Sequence, residues 1–170
     1  DIIAMESCAV PDEMTAVELK TGLAAIGARL LSDTIRCIKD GSAVYRPQDK
    51  HFASFAPRMA KDLGVIDWTQ PAKRIHDLVR GLQPWPGTFT FWRGKLLKIL
   101  DAVACDAVNR GKPGEIIELH KDGFLVQAGD RAVLVRRVHL AASKPMDARS
   151  FLAGHKLSIG EVLGSIQGAV

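Results

Sequence analysis

The sequence predicts an α+β chain in which a helical first part leads through a linker into a small β domain. Three observations carry that prediction. A helical apolar stripe runs from about residue 15 to 38, Leu19, Leu23, Ile26 and Leu30 being continued by Leu31, Ile35 and Ile38. Five short apolar runs follow residue 88, mostly joined by two-residue turns with glycine in them. Between the two regions lies Gln83-Pro84-Trp85-Pro86-Gly87-Thr88-Phe89-Thr90-Phe91, a sharp passage from helix to strand. Its two prolines push Gln83 and Trp85 into extended backbone and stop the helix.

Composition supports folded domains over disorder, since 47% of the 170 residues are hydrophobic and only 25% charged. No apolar run is long enough to span a bilayer, and no secretory signal pattern opens the chain. The first residue is Asp1, directly before the apolar Ile2-Ile3-Ala4-Met5, so the chain reads as a piece of something longer. Cys8, Cys37 and Cys105 are odd in number and widely spaced, which predicts reduced, mostly buried thiols in a cytoplasmic protein. Neither they nor the five scattered histidines show a metal-ligand spacing.

Taken in order, residues 2–10 read as a strand ended by Pro11. Thr15 and Glu18 form a capping-box signature at the start of the first helix, with Asp12 and Glu13 near its positive end. Residues 41–62 lack a sustained apolar period and read as a linker. Thr69 is then placed to cap a helix with Pro71 in its first turn. Its buried stripe would be Ala72, Ile75, Leu78, Val79 and Leu82, with Lys73, Arg74, Asp77 and Arg80 in water.

At the corner that follows, Trp85 is expected to plug the core, while Phe89 and Phe91 share one face of a strand. Strands are predicted at 88–92, 95–105, 115–120, 124–128 and 131–140, with turns at Arg93-Gly94, Lys112-Pro113-Gly114, Asp122-Gly123 and Gly129-Asp130. Five such strands suggest a small closed or partly open barrel, because closure removes exposed edges. A short helix over Met146–Gly154 would cover one end, followed by a frayed tail at 165–170.

Nothing in the chain forms a recognisable catalytic set: there is no phosphate-cradling glycine loop, and Glu115 and Glu118 fall on opposite strand faces. Cations are more telling. Residues 1–70 carry a net −2 and residues 71–170 a net +6. Arg93, Lys95 and Lys98 surround the first hairpin beside Trp92, and Arg58 and Lys61 close the linker. Such groups suit a phosphate backbone, whereas Arg136 and Arg137, adjacent on a strand, should contribute at most one side chain to that surface.

Several segments together resemble one known family. Pro84-Trp85-Pro86-Gly87, preceded by Leu78-Val79-Arg80-Gly81-Leu82-Gln83 and followed by Lys95-Leu96-Leu97-Lys98-Ile99, is similar to methionyl-tRNA formyltransferases. Leu23–Leu31 resembles the last long helix of that family's catalytic domain. Phe55-Ala56-Pro57-Arg58-Met59 and Ile66-Asp67-Trp68 resemble its linker, and the segments around Pro113, Met146 and His155 its barrel. Three departures are visible: Phe55 for a usual tyrosine, Arg58 for lysine, and Gln83 for asparagine.

The resemblance implies that residues 1–40 are a strand and helix remaining from a Rossmann-like formyltransferase domain, that 41–62 link, and that 63–164 form an OB-like tRNA-binding barrel led in by a helix. It implies 10-formyltetrahydrofolate as the donor in the whole enzyme, initiator Met-tRNA as the partner, a monomer, and tRNA contacts from Arg58, Lys61, Arg93, Lys95 and Lys98. Asp1 matches the second aspartate of the family's Leu-Asp-Thr-Gly-Asp stretch, so the catalytic Asn, His and Asp would precede it and this chain alone would bind no donor and be inactive. Formyltransferases of sugar nucleotides share the Pro-Trp-Pro-Gly corner and stand as the alternative, as does a free-standing basic interaction module.

Overall fold

A computed structural model describes residues 1–108 and 111–164, and the expected tail at 165–170 lies outside them. The chain divides into two compact units, Asp1–Arg58 and Met59–Val170.

The first unit is built on α1 (Ala16–Asp40). Its capping box forms as expected: the Glu18 amide donates to Thr15 Oγ1 at 3.3 Å, and the Thr15 amide donates to Glu18 Oε2 at 2.8 Å. Gly41 closes the helix with φ of 74°, a left-handed turn that suits glycine. None of the residues of α1 is buried, and Leu23, Leu31, Ile35 and Ile38 face solvent. The expected strand over 2–10 does not form. Only Ile2 pairs, with Arg46, and Pro47 beside it lacks the N–H a longer ladder would use. The cysteines are less covered than expected, Cys8 being exposed and Cys37 and Cys105 half-buried.

The second unit is a mixed α+β domain. A 3-10 turn (Lys61–Gly64) leads to α2 (Ala72–Leu82), and then β1 (Thr88–Trp92), β2 (Lys95–Val108), β3 (Ile116–His120), β4 (Gly123–Gln127) and β5 (Arg131–Leu140) follow. A two-residue β6 (Met146–Asp147) and α3 (Ala148–Gly154) come last. These strands pair antiparallel with one another in the order β1-β2-β5-β4-β3, with β6 on the side of β5, and Val65 adds a parallel bridge to Phe89. The Arg93-Gly94 turn has φ of 49° and 73°, a hairpin geometry matching strand twist. The β3–β4 turn falls one residue earlier than expected, on Lys121-Asp122, because Gly123 already pairs with His120.

Helix α2 buries Ala72, Ile75, His76, Val79 and Leu82. His76 enters the stripe because its Nδ1 lies 2.8 Å from the Ala102 carbonyl, while Leu78 is only partly buried. Thr69 does not cap this helix. Its hydroxyl and amide turn to Asp67, and the Ala72 amide is met at 2.7 Å by Asp130, from the β4–β5 turn. The main core packs that stripe against Trp68, Trp92, Leu97, Ile99, Phe124, Val133 and Phe151.

The expected barrel is not closed by strand pairing, since β1 and β3 remain separate ends of the sheet. A strap of irregular chain spans them instead. The Phe91 amide donates to Gly164 O at 2.9 Å and receives a bond back, while the Ile116 amide donates to Glu161 O at 2.8 Å. Both end strands thus gain partners without a continuous ladder, which blunts edges otherwise open to other chains.

Candidate nucleic-acid interface

The hairpin tip places Arg93 over the Trp92 ring, its guanidinium carbon 4.5 Å from the ring centroid. The same guanidinium donates to both carboxylate oxygens of Glu161, at 3.0 and 2.8 Å, and to Lys156 O at 2.7 Å. Trp92 Nε1 donates to Glu161 Oε2 at 2.8 Å. Partial burial opposes charge on Glu161, but these bonds and the Ser158 amide outweigh it and hold its pKa below the usual 4.5. Arg93 is therefore a strap-holding cation as much as a surface one. The sequence offered no signal for this, because Glu161 lies 68 residues away.

Lys95 and Lys98 are both exposed, but the register separates them. Lys95 pairs with Trp92 and Lys98 with Phe89, and alternation puts these pairs on opposite faces of β2. Lys61 is exposed on the 3-10 turn of the second unit, and Arg58 is exposed at the end of the first.

The regular strand alternation expected at Arg136 and Arg137 is interrupted. Arg137 pairs with Asp101 and Val135 with Ala102, leaving Arg136 as the extra residue of a bulge. Both arginines are exposed as a result. Arg136 reaches a shallow depression of about 300 Å³ lined by Lys121, Arg149, Ser150, Asp122 and Asp147. Lys121, Arg136 and Arg149 make no hydrogen bond or ion pair among the described residues. The sequence reading missed this trio. Its available signal was the paired arginines interrupting the apolar alternation of β5, which strict period-two pairing cannot accommodate.

The Trp85 expectation is also corrected. The Gly87 amide donates to Leu82 O at 2.9 Å, so residues 83–86 loop outward and the tryptophan at the apex is 52% exposed. Gln83 and Thr88 anchor the base of that loop by donating to Ile99 O at 3.1 and 2.7 Å. The peptide bonds before Pro84 and Pro86 are both cis. Trp92, not Trp85, fills the core, against Phe151 at 5.3 Å and His155 at 5.8 Å between ring centroids.

The second unit is thus a small α+β domain with an apolar core and cations on its turns and bulges. The chain belongs to the family of the formyl transferase C-terminal domain, which matches residues 58–156. It is similar to the methionyl-tRNA formyltransferase of Moorella thermoacetica, with 39% identity over 98% of this chain and 53% of that protein. The methionyl-tRNA formyltransferase of Halalkalibacterium halodurans is 38% identical over 99% of this chain and 54% of its own length. The chain thus spans about half the length of the curated relatives it matches. Among solved structures, a variant of HypX from Aquifex aeolicus superposes with a TM-score of 0.61 over 89% of this chain and 28% of that one, at 20% identity. HypX crystallised with tetrahydrofolic acid gives 0.56 over 78% and 24%.

Proposed function

We propose that this chain is the RNA-holding part of a methionyl-tRNA formyltransferase, which uses 10-formyltetrahydrofolate to formylate initiator Met-tRNA in the cytoplasm, acting as a monomer. The observation that supports it most is identity of 36–39% to enzymes of that name over nearly the whole chain. On this reading the first unit is a remnant of the Rossmann-like catalytic domain, whose other elements would cover the exposed face of α1. The second unit is the OB-like tRNA-binding domain. Within the chain, the Glu161, Asp77 and Asp130 carboxylates have pKa values lowered by their hydrogen bonds and serve ion pairs and a helix cap.

The RNA contacts on this reading come from Arg58 in the first unit and, in the second, from Lys61 and from Lys95 and Lys98 on the two faces of β2, to which Lys121, Arg136 and Arg149 are added. Arg93 contributes its outward charge while holding the strap. Contacts of this kind go to phosphates, so binding is expected to weaken with salt at a log–log slope of roughly −0.7 to −0.9 per contact. Initiator and elongator tRNA should bind alike, since phosphate contacts position without reading sequence. Titrations of both tRNAs at several salt concentrations test this, with the parent chain, a Lys95→Ala/Lys98→Ala variant and a Lys121→Ala/Arg136→Ala/Arg149→Ala variant. Each variant should bind more weakly and show a shallower slope. A salt-independent parent, or variants that both bind as the parent does, would refute the reading.

A further inference from the structure

Two of the three tryptophans are buried, Trp68 at 4% and Trp92 at 5% exposure, while Trp85 stands 52% exposed on its loop. An aromatic that large gains nothing for the core by facing water. The loop that carries it is nonetheless fixed at both ends by the Leu82–Gly87 and Gln83–Ile99 hydrogen bonds. Two exposed lysines lie on the segments that pack at the base of this loop. Lys98 is one residue along β2 from Ile99, the anchor of the loop, and is exposed. On the other side, Gly64 lies so close that a Cβ there would collide with the Gly87 carbonyl oxygen, and this brings the Lys61–Gly64 turn against the corner. The side chains of Lys61 and Lys98 make no hydrogen bond or ion pair among the described residues. The nearest acid on the turn, Asp62, accepts from the Leu63 amide at 3.0 Å. Leu63 and Val65 are half-exposed beside it, but they open toward α2, in a depression lined by Gln70, Arg74 and Leu78.

We propose that Trp85 is a stacking platform for an unpaired base of single-stranded RNA, with Lys61 and Lys98 taking the phosphates to either side. The inference rests on the RNA-holding reading and assigns its second unit a single-strand site that includes none of Lys121, Arg136 and Arg149. An exposed aromatic ring that takes a base, combined with cations that take phosphates, is the means by which proteins hold single strands with little sequence preference. Charge complementarity favours a polyanion over a protein partner here, since an apolar partner would have to cover two unpaired lysines.

Because Trp68 and Trp92 are buried, acrylamide-accessible tryptophan emission reports chiefly on Trp85. A short single-stranded oligoribonucleotide should quench that emission in the full chain and shield it from acrylamide. Trp85→Ala should weaken oligonucleotide binding by about 5- to 150-fold, the range of base–aromatic stacking. Trp85→Phe should recover most of the loss, and a fully paired RNA duplex should bind parent and Trp85→Ala equally. Unchanged oligonucleotide affinity in Trp85→Ala, while the parent still binds tRNA with a steep salt response, would overturn the stacking site alone. A parent chain that binds neither RNA would overturn both readings, and shielding of Trp85 that grows with protein concentration without RNA would assign the ring to a contact between copies.

Discussion

Replacing Trp92 by alanine should cost the second unit far more than replacing Trp85. Trp92 is 5% exposed, packs edge-on to Phe151 and His155, and donates from its indole to Glu161. Emptying a buried tryptophan site costs about 3–5 kcal/mol. That cost includes the loss of the two ring pairs and of the indole bond to a charged carboxylate. For a domain of this size, 3 kcal/mol corresponds to a fall in midpoint of at least ~12 °C. Trp92→Phe keeps the ring contacts and loses the N–H, so it should fall between alanine and the parent. Trp85→Ala, which vacates a half-exposed loop position, should stay within about 0.5 kcal/mol of the parent. Urea unfolding followed by far-ultraviolet circular dichroism separates the four proteins. A Trp92→Ala variant within 1 kcal/mol of the parent, or a Trp85→Ala variant as damaged as Trp92→Ala is expected to be, would refute the packing argument.

Two further outcomes follow from the strap and the division into units. The lowered pKa of Glu161 stabilises the fold fully above its ordinary value of 4.5, and that contribution disappears as the pH falls through the lower folded value. Glu161→Gln should therefore lose roughly 1–2 kcal/mol at neutral pH and nearly match the parent in strong acid, which unfolding titrations at pH 3 to 7 measure; an equal difference at all pH values would exclude the charge as the cause. Residues 59–164 should fold cooperatively without the first unit and be more soluble, because they carry their own core while α1 shows an open apolar face; broad, non-cooperative unfolding of that piece would place the boundary elsewhere.

What was legible in the sequence is what neighbouring residues decide. The span of α1 followed from its apolar stripe and capping box, and β1 and β5 were read to the residue because glycine turns and alternation mark both ends. What escaped depends on partners far along the chain. Trp92 is the core aromatic because Phe151, His155 and Glu161 come to it, and no local rule ranks it above Trp85. Asp130 caps α2 from 58 residues away, so Thr69 looked like the better candidate. Arg93 read as a free cation for the same reason. The expected strand at the start failed in the opposite way, its apolar residues being present without a neighbour to pair with beyond Arg46.

The strap also sets the order in which the second unit can be completed. Phe91, at the first edge of the sheet, meets Gly164, and Ile116, at the last edge, meets Glu161. A chain emerging from the ribosome can build its hairpins early, and Val65 and Ile66 already cover Phe89, yet Phe91 and Ile116 stay without these partners until residues 161–164 arrive. Such non-local closure slows folding and lengthens the time in which bare strands can pair with a neighbouring nascent chain. Proteolysis within residues 157–164 would return the finished domain to that vulnerable condition, loosening the core at Leu157 and Leu163 and uncovering two adhesive margins.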